Sequence, residues 1–224
     1  MAGQMVTFPL NGKTGEGYLA TPSSGTGPGV IVLQEWWGLV DHIKRVTDRF
    51  ADAGYVALAP DMYHGKKASH PDEAGRHMMQ MSIAETEKDL KAAAAFLKTK
   101  SATRKIGSVG FCLGGQLALF AATLNPDFGA CVDFYGIHPN VKPDFAKLAC
   151  PVLALFGETD PYVTPESARE LAAAIKKAGR TCETHVYPKV GHAFFNDTRP
   201  EAYNKDAAED AWNRTLAFFK QHLK

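Results

Sequence analysis

Gly110-Phe111-Cys112-Leu113-Gly114 joins an apolar run, Ile106 to Phe111, to an apolar helical segment, Leu113 to Leu124, with a cysteine at the junction. The spacing Gly-x-Cys-x-Gly describes a sharp strand-to-helix turn with a nucleophile at its apex. Such a turn strains its central residue. A Cβ two positions to either side would strike neighbouring backbone, which calls for glycine at 110 and 114. The helix starting at Leu113 aims its free N–H groups and positive dipole end at the sulfur, favouring thiolate. A buried cysteine in a glycine-rich turn is the plainer alternative, so the rest of the chain has to decide.

On either side of this turn, apolar runs alternate with amphipathic segments. Val30 to Leu33 reads as a buried strand after the loop Thr21 to Gly29. Asp41 is placed to cap the next helix, which carries Ile43, Val46 and Phe50 on one face and has Gly54 where a C-terminal cap belongs. Tyr55 to Ala59 is a strand closed by Pro60. Residues 61–82 are polar, rich in His and Met and weakly periodic, and read as an excursion over the strand ends before a helix from Ile83 to Lys98. Strands are expected at Ala130 to Phe134, Val152 to Phe156 and Thr181 to Tyr187. A helix opens with Thr164 as cap and Pro165 at its first position, and places Ala168, Leu171 and Ile175 on one face. The last helix does the same with Ala208, Trp212, Leu216 and Phe219. Met5 to Phe8 and Glu16 to Ala20 are too close together for a crossover helix and are expected to add an antiparallel edge. The fold class is therefore α/β, a mostly parallel central sheet of about seven or eight strands with helices on both faces.

The 224 residues suit one α/β domain, 1–224, and 45% hydrophobic with 22% charged residues is ordinary for a globular core. Lys and Arg total 25 against 24 Asp and Glu, without a basic run, so a nucleic-acid partner has no electrostatic support. No stretch approaches the roughly 20 apolar residues of a membrane span, and the first residues lack a signal's apolar region. Four cysteines without such a signal point to a reducing, cytoplasmic setting.

A nucleophile on such an elbow needs a histidine and an acid, and both follow it on loops after later strands. Asp160 lies in Gly157-Glu158-Thr159-Asp160-Pro161, and His192 in Val190-Gly191-His192-Ala193-Phe194. Both fall at the C-terminal edge of the sheet, the usual ligand face of open α/β folds. Glu158 is the competing acid, nearer the strand end. His185 lies within a strand, and Cys131, Cys150 and Cys182 sit in or beside strands as small buried hydrophobes. His64, His70 and His77, with Asp61 and Asp72, match no zinc spacing and read as a polar loop, so no metal is expected.

The chain resembles the dienelactone hydrolase (carboxymethylenebutenolidase) family of the α/β-hydrolase fold. The resemblance rests on Leu33-Gln34-Glu35-Trp36-Trp37-Gly38, Ala59-Pro60-Asp61-Met62-Tyr63, Gly110-Phe111-Cys112-Leu113-Gly114-Gly115, Phe134-Tyr135-Gly136, Gly157-Glu158-Thr159-Asp160 and Gly191-His192-Ala193-Phe194. These stretches span nearly the whole chain in order. The resemblance implies that Glu35 sits beside the nucleophile and takes the thiol proton when substrate binds. It also implies that the backbone N–H groups of Trp36 and Leu113 form the oxyanion hole.

The expected chemistry is hydrolysis of a small ester or enol-lactone by Cys112, His192 and Asp160, without a cofactor. Trp36, Trp37, Tyr135 and Phe194 are candidates to wall an apolar pocket. The family holds its substrate carboxylate with two arginines. Arg76 is placed for the first, but Asn196 stands where the second belongs, with Arg199 displaced from it. Weaker selectivity for carboxylate-bearing lactones than in the dienelactone enzymes, with appreciable hydrolysis of neutral aryl esters, is therefore expected. The different-class rival is a non-catalytic small-molecule receptor on the same fold, and the chain is expected to be a monomer or small homo-oligomer.

Overall fold

A computed structural model describes residues 2–10 and 12–224. In chain order it contains β1 (Gln4–Leu10), β2 (Lys13–Ala20), β3 (Gly29–Leu33), α1 (Asp41–Asp52), β4 (Val56–Pro60), α2 (Pro71–Gln80), α3 (Ile83–Lys98) and β5 (Ile106–Phe111). There follow α4 (Leu113–Leu124), β6 (Phe128–Phe134), β7 (Val152–Gly157), α5 (Pro165–Lys177), β8 (Cys182–Tyr187) and α6 (Lys205–His222). The eight strands form one sheet in the order β1-β2-β4-β3-β5-β6-β7-β8. The β1–β2 and β2–β4 pairs are antiparallel and all others parallel, the α/β-hydrolase arrangement predicted above.

Every residue of β3, β4, β5 and β7 is buried, which explains their continuous apolar sequence. α1 and α6 meet over the sheet through Phe50, which packs on Trp212 and Phe219. α3 and α4 pack against each other and against β3 and β5. After β4 the chain crosses back over β3 to start β5, so strand order reverses between β3 and β5. Ligands of open α/β sheets bind at such a reversal, outside the C-terminal strand ends. Glu35 follows β3 there, and Cys112 follows β5.

Local chemistry sets most boundaries. Gly54, at φ +94, ends α1 with Gly54 N–H on Ala51 O and Tyr55 N–H on Phe50 O, a paired closure that a left-handed residue allows. Thr164 caps α5 by accepting from the Ser167 N–H, with Pro165 opening the helix. Asp41 is not the cap of α1: Val40 holds that position without a side-chain bond, and Asp41 is the first helical residue, where its charge faces the positive helix end. Residues 61–82 are not wholly irregular either, because α2 occupies Pro71–Gln80. Of its residues only Ala74 is fully buried, so no apolar stripe marks it in sequence.

Candidate active site

Cys112 adopts φ 54 and ψ −120 at the entry to α4, a conformation that non-glycine residues rarely hold. The surrounding backbone enforces it. The Cys112 N–H donates to Phe134 O at 3.0 Å, while its carbonyl accepts from Gly115 N at 2.9 Å and Ile137 N at 3.1 Å. A Cβ on Gly110 would run into the Gly114 carbonyl, and one on Gly114 into the carbonyls of Leu33 and Gln34. Both glycines are therefore needed for the helix to start this close to β3. Leu113 is the first residue of α4, whose initial N–H groups lack intrahelical acceptors. Among the described residues, no loop or turn carbonyl takes up the N–H of Leu113 or of Trp36.

The loops after β7 and β8 meet because Gly157 has no side chain: a Cβ there would strike the Val190 and Gly191 carbonyls. Asp160 Oδ2 lies 2.7 Å from His192 Nδ1. Its Oδ1 accepts from the N–H groups of Tyr162 at 2.7 Å and Val163 at 3.0 Å, so the carboxylate is fixed at both oxygens. Glu158 is exposed and accepts from the Lys189 N–H at 2.8 Å, which makes it a turn brace rather than the partner of His192. Burial works against a charged His192, but the hydrogen bond to the Asp160 carboxylate, together with the neighbouring Cys112, outweighs it and pushes its pKa up to about 10.

Glu35 is 1% exposed. Its Oε2 accepts from the Asn196 side-chain nitrogen at 2.5 Å, while Oε1 has no hydrogen-bond partner. Burial raises its pKa to about 7, against the opposing pull of Asn196, His192 and Arg199.

Glu35, Trp36, Trp37, Cys112 and His192 share one cavity of about 370 Å³. Met78 from α2, Ile137 and Tyr162 add apolar surface, and Arg199 and Glu201 add charge. Tyr162 is 63% exposed and stands edge-on to His192 at 5.2 Å. A larger cavity, about 440 Å³ and lined by His64, His77, Glu85 and Asp89, does not include Cys112.

Four of the expected pocket residues lie elsewhere. Tyr135 and Phe194 are fully buried behind His192, with Tyr135 5.0 Å from its ring, so they support the histidine rather than wall the cavity. Arg76 is exposed on α2, away from the cavity wall. Asn196 is 2% exposed and fully engaged, with its amide on Glu35 and its Oδ1 accepting from the Thr198 N–H and hydroxyl. Tyr162 and Glu201 were not singled out from sequence. Tyr162 had one available signal, its place two residues after Asp160.

The model of the Dienelactone hydrolase family matches residues 16–223. Protein usf of Aquifex pyrophilus is 42% identical over 230 residues, covering 99% of each chain. A protein of Aquifex aeolicus (strain VF5), described as "Putative carboxymethylenebutenolidase", is 36% identical over 231 residues, covering 99% of this chain and 100% of the relative. The solved dienelactone hydrolase-like promiscuous phosphotriesterase P91 from metagenomic libraries superposes with a TM-score of 0.88 at 22% identity, covering 100% of each chain, a likeness of fold.

Proposed function

The chain belongs to the dienelactone hydrolase family, and we propose that it hydrolyses small ester or enol-lactone substrates through Cys112, His192 and Asp160. The observation that carries this reading is Cys112, strained at φ 54, sharing a cavity with a His192 that Asp160 holds at 2.7 Å.

In this reaction the Cys112 sulfur attacks the substrate carbonyl carbon, and the N–H groups of Trp36 and Leu113 hold the oxyanion. The intermediate collapses by breaking the bond to the leaving oxygen, which takes a proton from His192 and leaves an acyl thioester on Cys112. Neutral His192 then removes a proton from water as the water attacks the thioester. Collapse releases the carboxylic acid and restores the thiolate beside a protonated His192. Every proton is carried by a residue of the site, so the scheme calls for no cofactor. Before the attack Glu35, its pKa raised to about 7 by burial and one oxygen unpaired, takes the proton of the Cys112 thiol as substrate enters, and it returns that proton to the thiolate after the acid has left.

The described chain contributes to one continuous sheet, which supports reading it as one domain. No described helix is long and apolar enough to cross a membrane, and all four cysteines are free thiols. A thiol nucleophile works best in a reducing compartment such as the cytoplasm. The test is hydrolysis of p-nitrophenyl esters and of an enol-lactone by wild type, Cys112→Ala and His192→Ala. Each substitution should cut kcat/KM by about 10³-fold or more with the circular dichroism spectrum unchanged. Turnover that survives Cys112→Ala would refute the assignment.

A further inference from the structure

Arg199 Nε and Nη2 both donate to Glu201 Oε1, at 2.8 and 2.6 Å. The guanidinium also lies over the Trp37 ring, 4.9 Å from its centroid. All three residues wall the cavity that holds Cys112 and His192, and Arg199 is near enough to Glu35 to act on its ionisation. Apart from His192, Arg199 is the one cationic side chain on that wall among the described residues. Its backbone is fixed as well, with the Arg199 N–H on Asn196 O and its carbonyl accepting from Ala202 and Tyr203.

We propose that Glu201 sets the charge preference of the site: by holding Arg199 it turns the pocket toward neutral esters, and its removal exposes Arg199 as a seat for a substrate carboxylate. This rests on the hydrolase reading above. A guanidinium paired with a carboxylate and stacked on tryptophan presents less net charge to an entering ester than a free one. An anionic substrate has to displace Glu201 and also meets its repulsion. The two partners differ in freedom. Glu201 is 63% exposed and can swing into solvent, whereas Arg199 is 35% exposed and held on Trp37. Loss of the carboxylate should therefore leave the guanidinium where it is, with its donors open.

The experiment compares kcat/KM for the mono-p-nitrophenyl ester of adipic acid, which carries a carboxylate, with that for neutral p-nitrophenyl hexanoate. Glu201→Gln should raise the anionic-to-neutral ratio about fivefold, mostly through KM, and Arg199→Gln in the same chain should abolish the gain. The gain should also shrink at roughly 1 M salt, where exposed charges are screened. Adipate binding, followed by tryptophan fluorescence, reads the same change without turnover and should tighten by about the same factor. A ratio and an adipate affinity unmoved by Glu201→Gln would overturn the proposal, as would a gain that survives Arg199→Gln. Failure of wild type to cleave either ester would instead refute the hydrolase reading, and the adipate measurement would still decide the role of Glu201.

Discussion

The Asn196 side-chain nitrogen donates to Glu35 Oε2 at 2.5 Å, joining two buried loops 161 residues apart in the chain. That bond ties a carboxylate on the wall of the Cys112 cavity to the loop that carries His192. It also lowers the cost of an ion in a site that burial makes hostile to charge. Asn196→Leu should raise the pKa of Glu35 further, because it removes a donor to the charged form. The check is the pH dependence of kcat/KM, whose limb near neutrality should move to higher pH. An unmoved limb would show that Glu35 does not govern it.

Glu35 should lower the stability of the protein at neutral and alkaline pH. Its pKa is raised from 4.5 to about 7, so the fold favours the protonated form. Below 4.5 both folded and unfolded chains carry the proton and the group has no effect. As pH rises toward 7 the unfolded carboxylate ionises first, and the fold loses stability until the penalty is complete above 7, about 3 kcal/mol at most. Glu35→Gln should therefore raise Tm at pH 8 and leave it nearly unchanged at pH 4, while depressing turnover. Equal Tm changes at both pH values would contradict this.

Asp133 offers a parallel case. It is fully buried between Gly115 and Gly136, and burial pushes its carboxyl to about 7. By the same sign, Asp133→Asn should stabilise the protein above neutral pH and not below pH 4, as urea unfolding at the two pH values would show.

Asp160→Asn should lower the pKa of His192, since the carboxylate hydrogen bond is one of the contacts that hold the ring charged against burial. Turnover should fall by about 10²–10⁴-fold, whereas Glu158→Gln, which disturbs only a brace on Lys189, should stay within about twofold. NMR titration of His192 and steady-state rates test both. A damaging Glu158→Gln with a silent Asp160→Asn would reverse the assignment of the acid.

The parts legible in the sequence were those fixed by local chemistry. Ile106 to Phe111, Leu113 to Leu124, Ile83 to Lys98 and the Thr164-Pro165 helix start appear in the structure with the expected bounds, because apolar runs, caps and glycines mark them. α2 was missed, as one buried residue gives no periodicity, although Pro71-Asp72-Glu73 carries the proline and acids of a helix start. Within the site, the glycine-flanked elbow, the chain order and the loops after late strands pointed to Cys112, Asp160 and His192, and the structure places Asp160 on His192 and His192 in one cavity with Cys112. The direction of a side chain across loops was not legible. Asn196 points to Glu35, Phe194 turns inward, Arg76 faces solvent and Arg199 reaches the cavity for reasons of tertiary packing that no local spacing encodes.

The central claim is that Cys112 carries the acyl group. Rapid acid quenching of wild type with a p-nitrophenyl ester, followed by intact-mass and peptide analysis, tests it most directly. The account predicts a thioester adduct of acyl mass on the peptide containing Cys112, formed at a rate at least equal to kcat and absent from Cys112→Ala. Full turnover with no adduct on Cys112, or an adduct mapped to Cys131, Cys150 or Cys182, would contradict it.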